Sequence, residues 1–168
     1  IRTREAMEHA ISFAETGHLV LTTLHANNAN QALERILHFF PEEQHSQVLM
    51  DLSLNLRGVV AQQLVPKPDG SGRRAIMEIM INTPLVSDLI LKGEVHKLKE
   101  LMKQGGQQGM VTFDQALFEL YKAGEISYDD ALHYADSANE VRLMVKLDEG
   151  DVNKFASAMD NVFLQETE

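Results

Sequence analysis

The 168-residue chain contains no cysteine and no tryptophan. Without thiols there is no disulfide framework and no thiolate metal site, a composition that fits a reducing compartment. Basic residues are in short supply: fifteen Lys and Arg stand against twenty-five Asp and Glu, giving a formal net charge of −10. Recognition of a phosphate backbone needs concentrated Lys and Arg, so this balance argues against a nucleic-acid-binding surface. Long apolar runs are missing too. Leu19 to Leu24 and Met77 to Ile81 fall far short of the roughly 20 residues that cross a bilayer, so any membrane link is expected through a partner and without direct insertion. No repeat of solenoid length and no low-complexity tract is visible.

What is present is a 44% hydrophobic chain, enough for one core plus a small helical appendage. A start at Ile1, leading directly into a helical pattern, gives the expectation that these residues are an internal piece of a longer protein. Met7, Ala10, Ile11 and Ala14 recur at the helical repeat and predict an amphipathic helix over residues 3 to 16, ended by Gly17. The run Leu19 to Leu24 predicts a buried central strand, followed by the polar cluster His25-Ala26-Asn27-Asn28. Leu33, Ile36, Leu37 and Phe40 then form a second helical stripe, and Pro41 is placed as the first residue of a third helix with Val48, Leu49, Leu52 and Leu56 inward.

Val59 to Val65 and Ala75 to Ile81 predict two strands joined by Pro66-Lys67-Pro68-Asp69-Gly70-Ser71-Gly72-Arg73, a long hairpin turn that would make the sheet mixed. From Asn82 the composition becomes helix-rich, beginning with the cap Thr83 and Pro84. Thr112 with Gln115, and Ser127 after Gly124, open further helices. The reading is therefore an α/β part over residues 1–81, a helical subdomain over 82–147 and an acidic tail over 148–168. In the tail, Val152, Phe155, Ala156, Met159 and Phe163 form an apolar stripe that needs a docking surface.

Among candidate functional residues, His18 and His25 stand at opposite ends of the predicted strand, about 23 Å apart at 3.3 Å per residue, too far to share a proton or a metal. In open α/β sheets ligands bind beyond the carboxyl ends of the strands, which points to His25 with Thr22, Thr23 and Asn27. A loop histidine that merely caps a strand end is the plainer alternative. His9, His38, His45, His96 and His133 lack the spacing of a metal site and read as surface or packing residues. Glu5 with Glu8, Glu42 with Glu43, and Asp129 with Asp130 could be carboxylate pairs for acid/base chemistry, but helix-start electrostatics explains them better. The Gly-rich stretch Asp69-Gly70-Ser71-Gly72 lacks the G-x-x-x-x-G-K-[ST] spacing and reads as a turn.

The segment Glu15 to Phe40, and with it the chain to about Leu147, resembles the secretion-type hexameric ATPases, specifically the His box of their pilus-retraction, twitching-motility branch. The resemblance implies the C-terminal half of a RecA-like P-loop ATPase domain, a mixed sheet flanked by helices, followed by a helical C-terminal subdomain. It implies ATP and Mg²⁺ as ligands, with His25 reporting the γ-phosphate, Thr23 beside it, and Thr22, Asn27 and Arg2 contributing to nucleotide binding. Ile1-Arg2 is similar to the end of the Walker B segment, which would put the catalytic Glu just before Ile1; Thr3 stands where relatives often have Asp. His18 resembles the first histidine of the box, yet its far position favours a structural hydrogen bond or a subunit contact. Thr83 to Glu94 is similar to the helix carrying the Ala-Ile-Arg-Asn-Leu-Ile-Arg-Glu motif of retraction motors. Leu89 and Ile90 match it, whereas Ser87 and Leu91 replace the two arginines, a departure that favours an accessory paralogue over the principal motor.

The implied partners are sister subunits of a hexamer, the related retraction ATPase and the inner-membrane pilus platform protein, at the cytoplasmic side of a bacterial inner membrane. Two alternatives remain at this point: a pilus-assembly or type II secretion ATPase, whose relatives typically carry four cysteines in this region, and a non-catalytic helical interaction module. Because nothing in these residues can cradle the α- and β-phosphates, the 168-residue chain by itself should neither bind ATP tightly nor hydrolyse it. Calorimetry with ATP and Mg²⁺ checks this; micromolar binding would overturn it.

Overall fold

A computed structural model describes residues 1–150. The helix α1 (Arg4–Glu15) is started by Thr3, whose hydroxyl accepts from the Ala6 amide at 3.3 Å. It stops at Gly17, where a φ of 87° lets the chain turn in a way that a side chain would oppose. The role of Thr3 is thereby set as a helix cap. Next comes α2 (Ala29–Leu37), with Asn28 accepting from Gln31 N at its start and Ala29, Ala32, Leu33 and Ile36 buried on one face. Pro41 precedes a single 3₁₀ turn (Glu42–Gln44), and α3 (His45–Asn55) comes after it. The expected helix start at Pro41 is therefore corrected. Its extended ψ of 154° places it before the turn and not within a helix.

The strands β1 (Gly58–Pro66) and β2 (Arg73–Ile81) pair as a hairpin. Their register is fixed at one end by Lys67 N to Gly72 O and at the other by Asn82 N to Arg57 O. Gly58 lies so close to its partner that a Cβ there would meet the Met80 carbonyl at 2.8 Å. An isolated antiparallel bridge joins Ile79 to Val111. The α/β class stands, but the mixed sheet does not: among the described residues the sheet has two strands and is antiparallel. Leu19 to Leu24, expected as a central strand, pairs with neither of them. A strand needs a neighbour for its N–H and C=O groups, and neither β1 nor β2 lies alongside this segment. Leu19 and Leu21 are accordingly 80% and 86% exposed.

After the hairpin, Thr83 caps α4 (Pro84–Leu91), as the sequence predicts, and α5 (Leu98–Gln104), α6 (Phe113–Lys122) and α7 (Tyr128–His133) complete the order of named helices. Residues 138–150 are helical. Two compact units result, one of Ile1–Leu64 with Ala75–Thr112, the other of Val65–Arg74 with the residues from Phe113 on. The apolar stripe from Val152 to Phe163 lies outside the described residues.

In the first unit, Met7, Leu33, Ile36, Val48, Leu52, Met80, Val86, Ile90 and Leu98 share one core. The C-terminus of α3 is closed by polar contacts: the Ser53 carbonyl accepts from Asn82 Nδ2 at 3.0 Å and from Ser87 Oγ at 2.7 Å, and Leu56 O accepts from Asn82 Nδ2 at 2.8 Å. Ser87, one of the two residues standing where relatives carry arginine, therefore satisfies an orphan carbonyl that a helix end leaves open. Leu91, the other, is half exposed.

In the second unit, Phe113, Leu117, Ala131 and Val141 are buried, Asp114 accepts from Ser137 N at 3.2 Å, and Ser127 caps α7 through Asp130 N. Asp129 and Asp130 fall in the first turn of α7 and Glu42 and Glu43 in the 3₁₀ turn, the places where acids complement backbone amides. Among the described residues no helix is long and apolar enough to cross a membrane. Leu33 is completely buried at the centre of the first unit. Leu33→Ala should destabilise the protein by about 2–5 kcal/mol through lost burial and a residual cavity, measured by urea unfolding.

Candidate functional site

His25, Thr23 and Arg2 converge on one open cleft of about 510 Å³, together with Ile1, Leu24 and Arg35. The Ile1 nitrogen donates to the Thr23 carbonyl at 2.5 Å, so the main chain at residue 1 runs beside the segment that carries His25. Two arginines, a histidine and a threonine thus border one cleft in a chain of net charge −10. All four can donate hydrogen bonds, and the arginines can pair with planar or tetrahedral oxyanions. The cleft suits an anion of phosphate type. Arg35 is a site residue that the sequence does not single out. It sits in the last turn of α2 on an exposed face, where a basic residue reads by default as solvent-facing.

Thr22 and Asn27 do not line the cleft. Thr22 is exposed, and the Asn27 backbone amide donates to Gln31 Oε1 at 3.2 Å, which makes this residue part of the start of α2. Asn28 completes that start by accepting from Gln31 N at 2.9 Å. The two asparagines after His25 therefore organise the helix behind the cleft. His18 lies apart from it, with Nδ1 3.0 Å from Thr16 Oγ1 and its ring edge-on to Phe13 at 5.8 Å. This contact is the structural kind expected of His18.

Among the described residues the other histidines and acids form no comparable cluster. His45 Nε2 lies 3.0 Å from the Phe40 carbonyl, and Glu8 pairs with Arg4 at 2.6 Å along α1. Among the described residues no group of three or more potential metal ligands occurs. The Gly-rich stretch is a hairpin turn, as predicted: Ser71 N donates to Asp69 Oδ1 at 2.9 Å, and this bond holds the Asp69 carboxyl below its usual range. A backbone amide that a phosphate loop would present is here turned to the loop's own carboxylate.

The family model described as type II/IV secretion system protein matches residues 1–77. The type IV pilus ATPase PilU of Pseudomonas aeruginosa is 63% identical over 169 residues, spanning 100% of this chain. The chain belongs to the type II/IV secretion system family, in its PilT/PilU branch. The type IV pilus retraction ATPase PilT of the same organism is 39% identical over 131 residues, covering 78% of this chain. A crystal structure of the pilus retraction motor PilT with bound ADP superposes with a TM-score of 0.76 at 36% identity, covering 84% of this chain and 39% of that one. The chain spans 44% of the length of PilU and 38% of that of PilT. These relatives support the expected ATPase fold, in which the helices and hairpin described here form the later part.

Asn28 is the helix cap nearest the cleft. Asn28→Ala should cost about 1 kcal/mol of stability through the lost cap, and Asn27→Ala less than half of that, read from urea unfolding midpoints.

Proposed function

We propose that this chain is the His-box half of an ATPase motor domain that powers type IV pilus retraction, acting where nucleotide occupancy is converted into subunit motion. The observation that carries this reading is the convergence of His25, Thr23, Arg2 and Arg35 on one cleft in a sequence 63% identical to PilU. The residue set suits a terminal phosphate: two arginines stand beside a histidine and a threonine in a cleft open to solvent. ATP with Mg²⁺ would supply the transferable phosphoryl group and the charge that neutralises it. Arg2 and Arg35 bind and orient that anion through guanidinium hydrogen bonds. His25 donates to an oxygen of the terminal phosphate, and Thr23 holds the approach of the main chain at residue 1. Thr22 and Asn27 flank this set; Asn27 acts through the start of α2.

Once His25 is engaged, its loop transmits occupancy to α2, whose buried face belongs to the core of the first unit. The absence of a phosphate cradle in these residues assigns α- and β-phosphate binding to sequence outside them, in keeping with the fraction of PilU they span. The partners of the whole motor are sister subunits of a hexamer, a related retraction ATPase and the platform protein of the inner membrane. Its place is the bacterial cytoplasm, at the base of the pilus machine. Domain limits near residues 81 and 147 belong to the same proposal.

A γ-phosphate contact acts at the reacting centre, where one oriented donor is worth on the order of 10²-fold in rate. In the full-length ATPase, His25→Ala should lower ATP turnover by about that factor and His18→Ala by much less. Equal turnover in wild type and His25→Ala would remove His25 from the site.

A further inference from the structure

Glu78 is only 3% exposed, held on β2 between the inward-facing Ile76 and Met80. Its Oε1 accepts the Ala29 backbone N–H at 2.8 Å, across 49 residues of sequence. Enclosing a carboxylate costs several kcal/mol unless strong partners offset the desolvation. Here the acceptor faces the positive end of α2 and takes an amide that the helix leaves without an internal partner.

A leucine between Ile76 and Met80 would pack at less cost. What the carboxylate adds is direction. The contacts of Asn27 and Asn28 with Gln31 lie within the loop and the first turn of α2, so they travel with the helix. The bond from Glu78 comes from the hairpin and fixes that first turn against β2. Ala29 is four residues past His25, so fixing Ala29 limits where the imidazole can sit.

We propose that Glu78 is a positioning residue for His25, setting the height of the His25 loop over the cleft from a buried site on the hairpin. This rests on the assignment of His25 to the terminal phosphate. It gives the hairpin a part in catalysis without any contact between Glu78 and nucleotide.

A double-mutant cycle on the full-length ATPase, read by steady-state turnover, tests the proposal. Small misplacements of a catalytic group cost up to about 10²-fold, so Glu78→Ala should lower kcat about tenfold while KM stays within about twofold. Glu78→Gln retains an oxygen acceptor of the same shape and should return kcat to within about threefold of wild type. In a His25→Ala background neither substitution should lower kcat further, because the two residues act as one unit.

A loss of the same size in both backgrounds overturns the proposal, as does wild-type kcat in Glu78→Ala. If Glu78→Ala does not fold, Glu78→Met, which keeps the volume but has no oxygen acceptor, decides in its place: a loss of kcat that vanishes in the His25→Ala background supports the proposal, and a loss that persists there, or none at all, overturns it. An unimpaired His25→Ala enzyme overturns the assignment of His25 and this proposal together, whereas an impaired His25→Ala enzyme with additive effects overturns the role of Glu78 alone.

Discussion

The start of α2 is where this structure has most to satisfy. Its first residue, Ala29, is 1% exposed, so its amide cannot turn to water, and a buried unpaired amide would cost about 1–3 kcal/mol. Glu78 meets that amide, Asn28 takes the amide of Gln31, and Gln31 returns to the amide of Asn27. With these bonds made, α2 can set Leu33 and Ile36 into the core while its first turn holds the loop that carries His25. Core and cleft therefore share one helix. A change at the start of α2 is felt in both.

The cleft has a different logic. A chain with ten more acids than bases has positive charge to spare only where folding concentrates it, and Arg2 and Arg35 are brought together with His25 from three separate places: the stretch beside Ile1, the His25 loop and the last turn of α2. Their common feature is availability for donation. Elsewhere several cations are held in ion pairs, as Lys92 is with Asp88 at 2.6 Å and Arg74 with Glu125 at 2.5 Å. The Asp88 carboxylate raises the Lys92 ammonium above its usual pKa, as expected for a pair made along one helix.

The segment from His18 to Leu24 shows how an apolar strand pattern depends on neighbours. Its apolar run is real, yet Leu19 and Leu21 face solvent, because neither strand of the hairpin lies alongside it. Backbone hydrogen bonding is a pairwise property, and one sequence segment supplies half of each pair. Pro41 obeys a similar limit: the ring fixes φ but leaves ψ free, and the extended ψ adopted ahead of the 3₁₀ turn puts the residue outside the helix.

Local chemistry was legible from the residues themselves. Thr83 and Ser127 cap helices, Gly17 ends one, and Pro66 to Arg73 turns a hairpin, because each of these outcomes is decided by a side chain acting within about four positions of itself. Of the residues singled out around His25, Thr23 and His25 line the cleft, whereas Thr22 and Asn27 do not. Arg35 and Glu78 were not legible. Arg35 looked like any basic residue on a helix surface, and Glu78 was an acid in an apolar strand, a signal visible only in its alternation with Ile76 and Met80. Sequence by itself determined the helices, their caps and the hairpin, since those arise from short-range sterics and hydrogen bonding. Tertiary structure decided which cations meet His25, which strand finds no partner, and that a carboxylate 49 residues downstream seats the start of α2, because burial and long-range contact exist only once the chain has folded.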